Sequence, residues 1–360
     1  MEMSEVREKL KSEQYDFLRK DVHLGNNIIL LVLGGSIASG TNDEDSDIDI
    51  RGITLDIAQD VIGRGSVKSN GTVKRFEQYV EPVTDTVIYS LSKFIELALA
   101  GNPNIFEMLG VKEEHIIYIN ENGRMLMNHR KCFYSKRVVH TFAGFADSQL
   151  RKLENALARD RISQSRKEEH IKNSVERFLY SASSMFQKYD KEETFALSIS
   201  DSDKTGYDKE LYIDIHLERY PLRDFNGIIR EMTAIVRDYD KNHLNHRNNK
   251  KSDRKLNKHA MQLVKYYLMG TELVETGDFS TYREKEHELL MKIKNGEYML
   301  PDGSYDNTFS KMIDELRDNF NAAVKKTKLP DYPDYERMET IKMQLLMMSL
   351  LENRKEQLWN

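Results

Sequence analysis

The unbroken apolar run Ile28-Ile29-Leu30-Leu31-Val32-Leu33 has the length of a strand and stops at Gly34-Gly35, where glycine frees the backbone to turn sharply. Past a polar stretch, Asp47-Ile48-Asp49-Ile50 alternates polar and apolar residues. As a strand it puts both aspartates on one face and both isoleucines into a core, and it continues through Ile53 and Leu55. Residues 73–80 read as a further strand that Pro82 ends or bends, and 85–91 is β-branched and aromatic, hence strand-like. It runs into 92–100, which has helical periodicity and stops at Gly101. Upstream, Val6, Leu10, Tyr15 and Leu18 predict a helix within 4–20; downstream, Asn102-Pro103-Asn104 opens a helix carrying Ile105, Phe106, Met108 and Leu109.

From about residue 125 the texture changes to long helical segments, expected at 124–160, 166–188, 223–242, 252–276, 282–295, 308–326 and 335–358. The exception is 194–217, where two alternating runs flank a polar loop and predict an inserted hairpin; Asp214 in its second strand is read as structural. The methionines of 341–351 are read as core of the last helix. The expected fold is thus an α/β (α+β) domain with a mixed sheet over 1–125, followed by a mostly α-helical domain over 126–360. No internal repeat or low-complexity segment interrupts it.

A chain of 360 residues exceeds one ordinary core, in line with two domains. Its net charge of −5 argues against a surface coated for nucleic acid, so any such surface is local. Cys132 is the only cysteine, which excludes an internal disulfide and a cysteine metal cluster. The start of the chain lacks a signal-peptide pattern, and no apolar run approaches the ~20 residues that span a bilayer, so a cytoplasmic protein without a membrane partner is expected.

The chemistry concentrates in 34–52. If Ser36 to Ser39 make a short helical turn, its leading amides offer partial positive charge to a polyphosphate, and Ser36 adds a hydroxyl donor. Asp47 and Asp49, about 6–7 Å apart along one strand face, suit a pair of divalent ions. Mg²⁺ (or Mn²⁺) takes few protein carboxylates and completes its shell with water and phosphate. Two ions, a triphosphate held at Gly35 and Ser36, and a hydroxyl acceptor are the requirements of nucleotidyl transfer.

The stretch Gly34-Gly35-Ser36-Ile37-Ala38-Ser39-Gly40-Thr41, with Asp45-Ser46-Asp47-Ile48-Asp49-Ile50-Arg51-Gly52 after it, resembles the signature of the DNA polymerase β nucleotidyltransferase superfamily. It is closer still to the family of predicted nucleotidyltransferases associated with RNA repair pathways in bacteria and phages. Further landmarks of that resemblance are Ser90-Leu91-Ser92-Lys93-Phe94, Gly101-Asn102-Pro103-Asn104, Phe145-Ala146-Asp147-Ser148-Gln149-Leu150, the 258–277 run and Leu329-Pro330-Asp331-Tyr332-Pro333; 160–215 matches nothing in it. The resemblance implies transfer of a nucleoside monophosphate from an NTP, with Asp47 and Asp49 as metal ligands. It also implies a third carboxylate from a neighbouring strand, for which Asp85 is chosen over Glu77 and Glu81. Arg51 is read as opposite in side-chain parity to the aspartates and hence as part of a structural ion pair.

The acceptor stays open between an RNA end, tRNA-like in particular, and a protein side chain or small molecule. A catalytically silent nucleotide- or RNA-binding module is the reading from another class, and the intact aspartate pair argues against it. Residues 241–258 hold seven Lys or Arg against one acid, so Lys250, Lys251, Arg254 and Lys258, with His259 just beyond, are candidates for substrate phosphate. The same run also reads as a solvated face. His243 and His246 have helical spacing but lack a third ligand, so zinc is discounted.

Overall fold

The computed structural model describes residues 3–43, 46–62, 66–67, 73–161, 164–183, 195–204, 208–239, 253–301 and 303–351. The sheet grows from β1 (Ile28–Leu33), whose six residues are all buried. On one side of β1 lies β2 (Ile50–Thr54), antiparallel, with Leu33 opposite Ile50. On the other lies β7 (Ile116–Ile119), also antiparallel. Beyond β2, β6 (Thr86–Ser90) runs parallel to it with Ile50 opposite Thr86, and β5 (Gln78–Glu81) closes the edge, giving the order β5-β6-β2-β1-β7. The sheet is therefore mixed, as expected.

Short strands β3 (Ser66–Val67) and β4 (Val73–Lys74) form a separate antiparallel pair. The single strand expected over 73–80 is thus split at 75–77, where Phe76 stacks on His23 instead of continuing a ladder. The helix expected in 4–20 is split as well, into α1 (Met3–Lys9) and α2 (Phe17–Lys20), with a 3₁₀ turn at Glu13–Tyr15 between them. The break turns Val6, Leu10, Tyr15 and Leu18 into one cluster with Leu31, Leu33, Ile48, Ile50 and Ile88.

Two helices seat the sheet. In α5 (Leu91–Leu99) the Ser90 side chain accepts from the Lys93 N–H and Asp56 accepts from the Ser92 N–H, so two of the orphan amides at its start are satisfied. In α6 (Pro103–Leu109) Asn102 caps and Pro103 occupies the first turn, where no amide is needed. Asp56 is 5% exposed, and its burial raises the carboxyl above the ordinary aspartate value.

The remainder is mostly helical: α7 (Glu121–Asn128), α8 (Arg137–Arg161), α9 (Gln164–Ser183), α10 (Leu222–Tyr239), α11 (Asp253–Thr276), α12 (His287–Lys294), α13 (Asn307–Lys326) and α14 (Tyr335–Leu351). The one segment expected over 124–160 is two helices with a 3₁₀ turn at Arg130–Phe133, because Phe133 and Tyr134 turn inward to full burial. The hairpin forms as expected, with β8 (Phe195–Asp201) antiparallel to β9 (Lys209–Ile215); Asp214 on it is exposed. In α14 the methionine core expected over 341–351 does not form: Met343 and Met347 are each 55% exposed and Met348 is half-buried, while the buried residues are Met338, Ile341 and Leu345. The buried positions fall at i, i+3 and i+7, one helical face, and Met343 and Met347 lie off it.

By its contacts the chain divides into two compact units. One holds Met1–Ala146, Val264–Lys292 and Lys311–Asn360, and therefore the five-stranded sheet; the other holds Asp147–Leu263 and Ile293–Ser310, with a core of Ile171, Val175, Leu179, Ile228, Met232 and Ile235. Among the described residues, no helix is long and apolar enough to cross a membrane.

Candidate active site

The C-terminal end of β1 delivers the chain to Gly34, whose N–H donates to the Asp49 carbonyl at 2.8 Å. Gly35 then takes φ +57°, the left-handed region, and opens the short helix α3 (Gly35–Ser39). Only glycine fits there for a second reason: a Cβ on Gly35 would lie 1.5 Å from Asp49 Oδ2. The Asp49 carboxylate thus rests directly on the backbone of the turn. At Gly34 a Cβ would meet Arg51 Cγ at 3.0 Å, so the Arg51 side chain crosses the same turn.

The far end of α3 is closed as firmly. Gly40 (φ 72°) donates to the Ile37 carbonyl, and Thr41 N–H to the Ser36 carbonyl at 2.8 Å, a Schellman closure. The buried Ser39 hydroxyl lies 3.0 Å from the Gly35 carbonyl and 3.0 Å from Thr41 Oγ1. Ser36 itself is half-buried in the first turn.

Burial alternates through Asp47 (exposed), Ile48 (5%), Asp49 (side chain 15%) and Ile50 (0%), although the hydrogen-bonded strand starts only at Ile50. Asp85 immediately precedes β6. Because β6 runs parallel to β2 with Thr86 opposite Ile50, Asp85 stands beside Asp49, and its carbonyl accepts from Ile50 N–H at 3.2 Å. Glu77 meets Ser90 at the opposite end of β6, and the Glu81 side chain accepts from its own neighbour Val83. Of the three carboxylates weighed from sequence, Asp85 is the one the topology places next to Asp49.

Arg51 departs from its expectation. It lies two residues past Asp49 and therefore shares the parity of the aspartates. Its guanidinium donates to the Ile50 and Asp85 carbonyls, lies 3.2 Å from Asp85 Oδ1 and 3.7 Å from Asp49 Oδ1. The ion pair is present, but it is in the site. Asp85 is one of two non-glycine residues described with positive φ (+44°), and the Arg51 clamp on both its carbonyl and its carboxylate holds that turn.

Asp47 and Asp49 supply oxygen donors only, one of them packed onto the glycine turn. Such a set fits Mg²⁺ or Mn²⁺ with water and phosphate in the remaining positions. Among the described residues no three His, Cys, Asp or Glu are arranged around one metal position, the Asp85 carboxylate being paired with Arg51.

Residues 281–287, which no local pattern connects with this turn, also reach it. Thr281 is fully buried and is pinned to α6, its N–H donating to Gly110 and its hydroxyl to the Glu107 carbonyl at 2.7 Å. The Tyr282 ring covers Gly40, where a Cβ would come within 2.6 Å of it. Arg283 N–H donates to the Ser39 carbonyl while its buried guanidinium pairs with Glu272 and Glu286, and His287 Nδ1 lies 2.6 Å from the Gly40 carbonyl. Behind this, Lys265, 3% exposed, pairs with Glu107, which also accepts from the Tyr266 hydroxyl; burial pushes that hydroxyl well above its usual range, so it remains a donor.

The other sequence candidates belong to the second unit. Arg254 and Lys258 are exposed on α11, and His259 is half-buried with Nδ1 2.9 Å from Gln149 Oε1, a packed histidine. Lys250 and Lys251, like His243 and His246, lie outside the described residues.

A family model described as the RNA repair pathway DNA polymerase beta family matches residues 5–170. No curated protein and no solved structure matches the chain.

Proposed function

With residues 5–170 belonging to the RNA repair pathway DNA polymerase beta family, we propose that the chain is a nucleotidyltransferase of RNA repair that moves a nucleoside monophosphate from an NTP to a hydroxyl, releasing pyrophosphate. The acceptor in this reading is an RNA end. The observation that carries it is the Asp49 carboxylate lying on the Gly35 backbone, with Asp47 exposed two residues before it. An anion-binding turn and a carboxylate pair meet there at one point.

Divalent ions bound by Asp47 and Asp49 would supply charge neutralisation at the transferring phosphate and a lowered pKa for the acceptor hydroxyl. The chain's own contribution is positional. The Gly35-Ser36 amides and the Ser36 hydroxyl hold the triphosphate, the Schellman closure fixes the direction of those amides, and Arg51 keeps Asp85 beside Asp49 as the third carboxylate of the proposed site. On α11, Arg254 and Lys258, with Lys250 and Lys251 before them, are proposed to hold backbone phosphates of the acceptor.

Incubation with each α-³²P-labelled NTP, Mg²⁺ or Mn²⁺, total RNA and cell lysate tests the reading. Label in the RNA fraction supports it. Label confined to protein or small molecules moves the acceptor to that class, and no label in any fraction leaves a binding module.

A further inference from the structure

We infer that the 281–287 segment is a positioning element for the glycine turn, and that His287 is its positioning residue. The inference rests on the nucleotidyltransferase reading and extends it to residues beyond the 5–170 family match.

This segment meets α3 at its last turn: Arg283 N–H donates to the Ser39 carbonyl, His287 Nδ1 lies on the Gly40 carbonyl, and the Tyr282 ring covers Gly40. The segment is anchored in turn by buried groups, through Thr281 to Gly110 and Glu107 and through Arg283 to Glu272 and Glu286. Because α3 is only five residues long, displacing Gly40 displaces Gly35 with it, and Gly35 is the residue against which Asp49 is packed. The Gly40 carbonyl accepts, so His287 carries its proton on Nδ1 and donates.

His287 is exposed, and its ring is the part of the clamp that can be removed without opening a cavity. An asparagine at 287 places its amide nitrogen where Nδ1 stands, and can donate to the same carbonyl. Alanine cannot.

The test uses the full chain: rate against NTP concentration, together with hydrogen–deuterium exchange of the peptide covering 34–41, for wild type, His287→Ala, His287→Asn and Asp49→Asn. His287→Ala is expected to raise KM for NTP roughly tenfold with kcat within about threefold, the scale of one lost hydrogen bond, and to speed exchange over 34–41. His287→Asn is expected to restore both. Asp49→Asn is expected to lose kcat. An unchanged KM in His287→Ala, or no rescue by His287→Asn, overturns the inference while leaving the underlying reading intact. A wild-type protein that transfers no nucleotide, or an Asp49→Asn variant as active as wild type, overturns the reading and the inference with it.

Discussion

Gly35 carries the tightest steric constraint described around the site. A side chain there would be held at φ +57°, costing about 1–2 kcal/mol for a residue with a Cβ, and that carbon would overlap Asp49 Oδ2. Gly35→Ala is therefore expected to lower the unfolding free energy by at least that amount and to displace Asp49. Urea unfolding and the transfer rate check this together; wild-type values of both would contradict it. Converting Asp47 and Asp49 to Asn is expected to cost roughly 10³-fold or more in transfer rate, since transition-state charge would lose its metal-borne neutralisation. The same variants should keep their far-ultraviolet circular dichroism, Asp47 being exposed. At this scale the sequence was readable where a spacing sets local geometry: the glycine turn and the Asp-x-Asp run after it, of which Gly35 and Asp49 come into contact. It was not readable where a contact depends on distant chain. Nothing local to Gly40 signals His287, which meets it from 247 residues away.

Elements were legible where the apolar pattern keeps one form along their length, as in the continuous run of β1, the alternation of β6 and of the β8–β9 hairpin, and the helical period of α5. Their boundaries failed where tertiary packing interrupts periodicity, as when Phe133 and Tyr134 turn into the core and split the expected 124–160 helix. The start of α5 gives an element-scale prediction. Burial raises the Asp56 carboxyl above its unfolded value, so in the window above the ordinary aspartate pKa the folded state binds more protons than the unfolded one. Stability then falls as pH rises through that window. Asp56→Asn keeps an acceptor for the Ser92 N–H without a buried charge, so its stability relative to wild type should grow from about pH 4 towards pH 7. Thermal melts across that range decide it; a difference independent of pH would contradict the assignment.

For the whole molecule, the sheet-bearing unit draws on three separated stretches of chain, including Val264–Lys292, so the residues that brace the site come from well beyond the 5–170 match. The net charge of −5 implies that any nucleic-acid surface is local. Arg254, Lys255 and Lys258 are exposed on α11. Replacing the three by Ala is expected to weaken RNA binding alike for all sequences and to reduce the log–log salt slope by about 0.9 per lost contact on a duplex or about 0.7 on a single strand. Filter binding at several salt concentrations measures this, and an unchanged affinity and slope would make that face a solvated one.

The most direct measurement is to supply the wild-type protein and the Asp47→Asn/Asp49→Asn variant with Mg²⁺, an RNA acceptor and the same NTP, labelled with ³²P at the α-phosphate in one reaction and at the γ-phosphate in the other. Label entering RNA from the α position only, released pyrophosphate carrying the γ label, and neither event in the variant are the results expected of nucleotidyl transfer at Asp47 and Asp49. Label entering RNA from the γ position, or equal transfer by the variant, would contradict it.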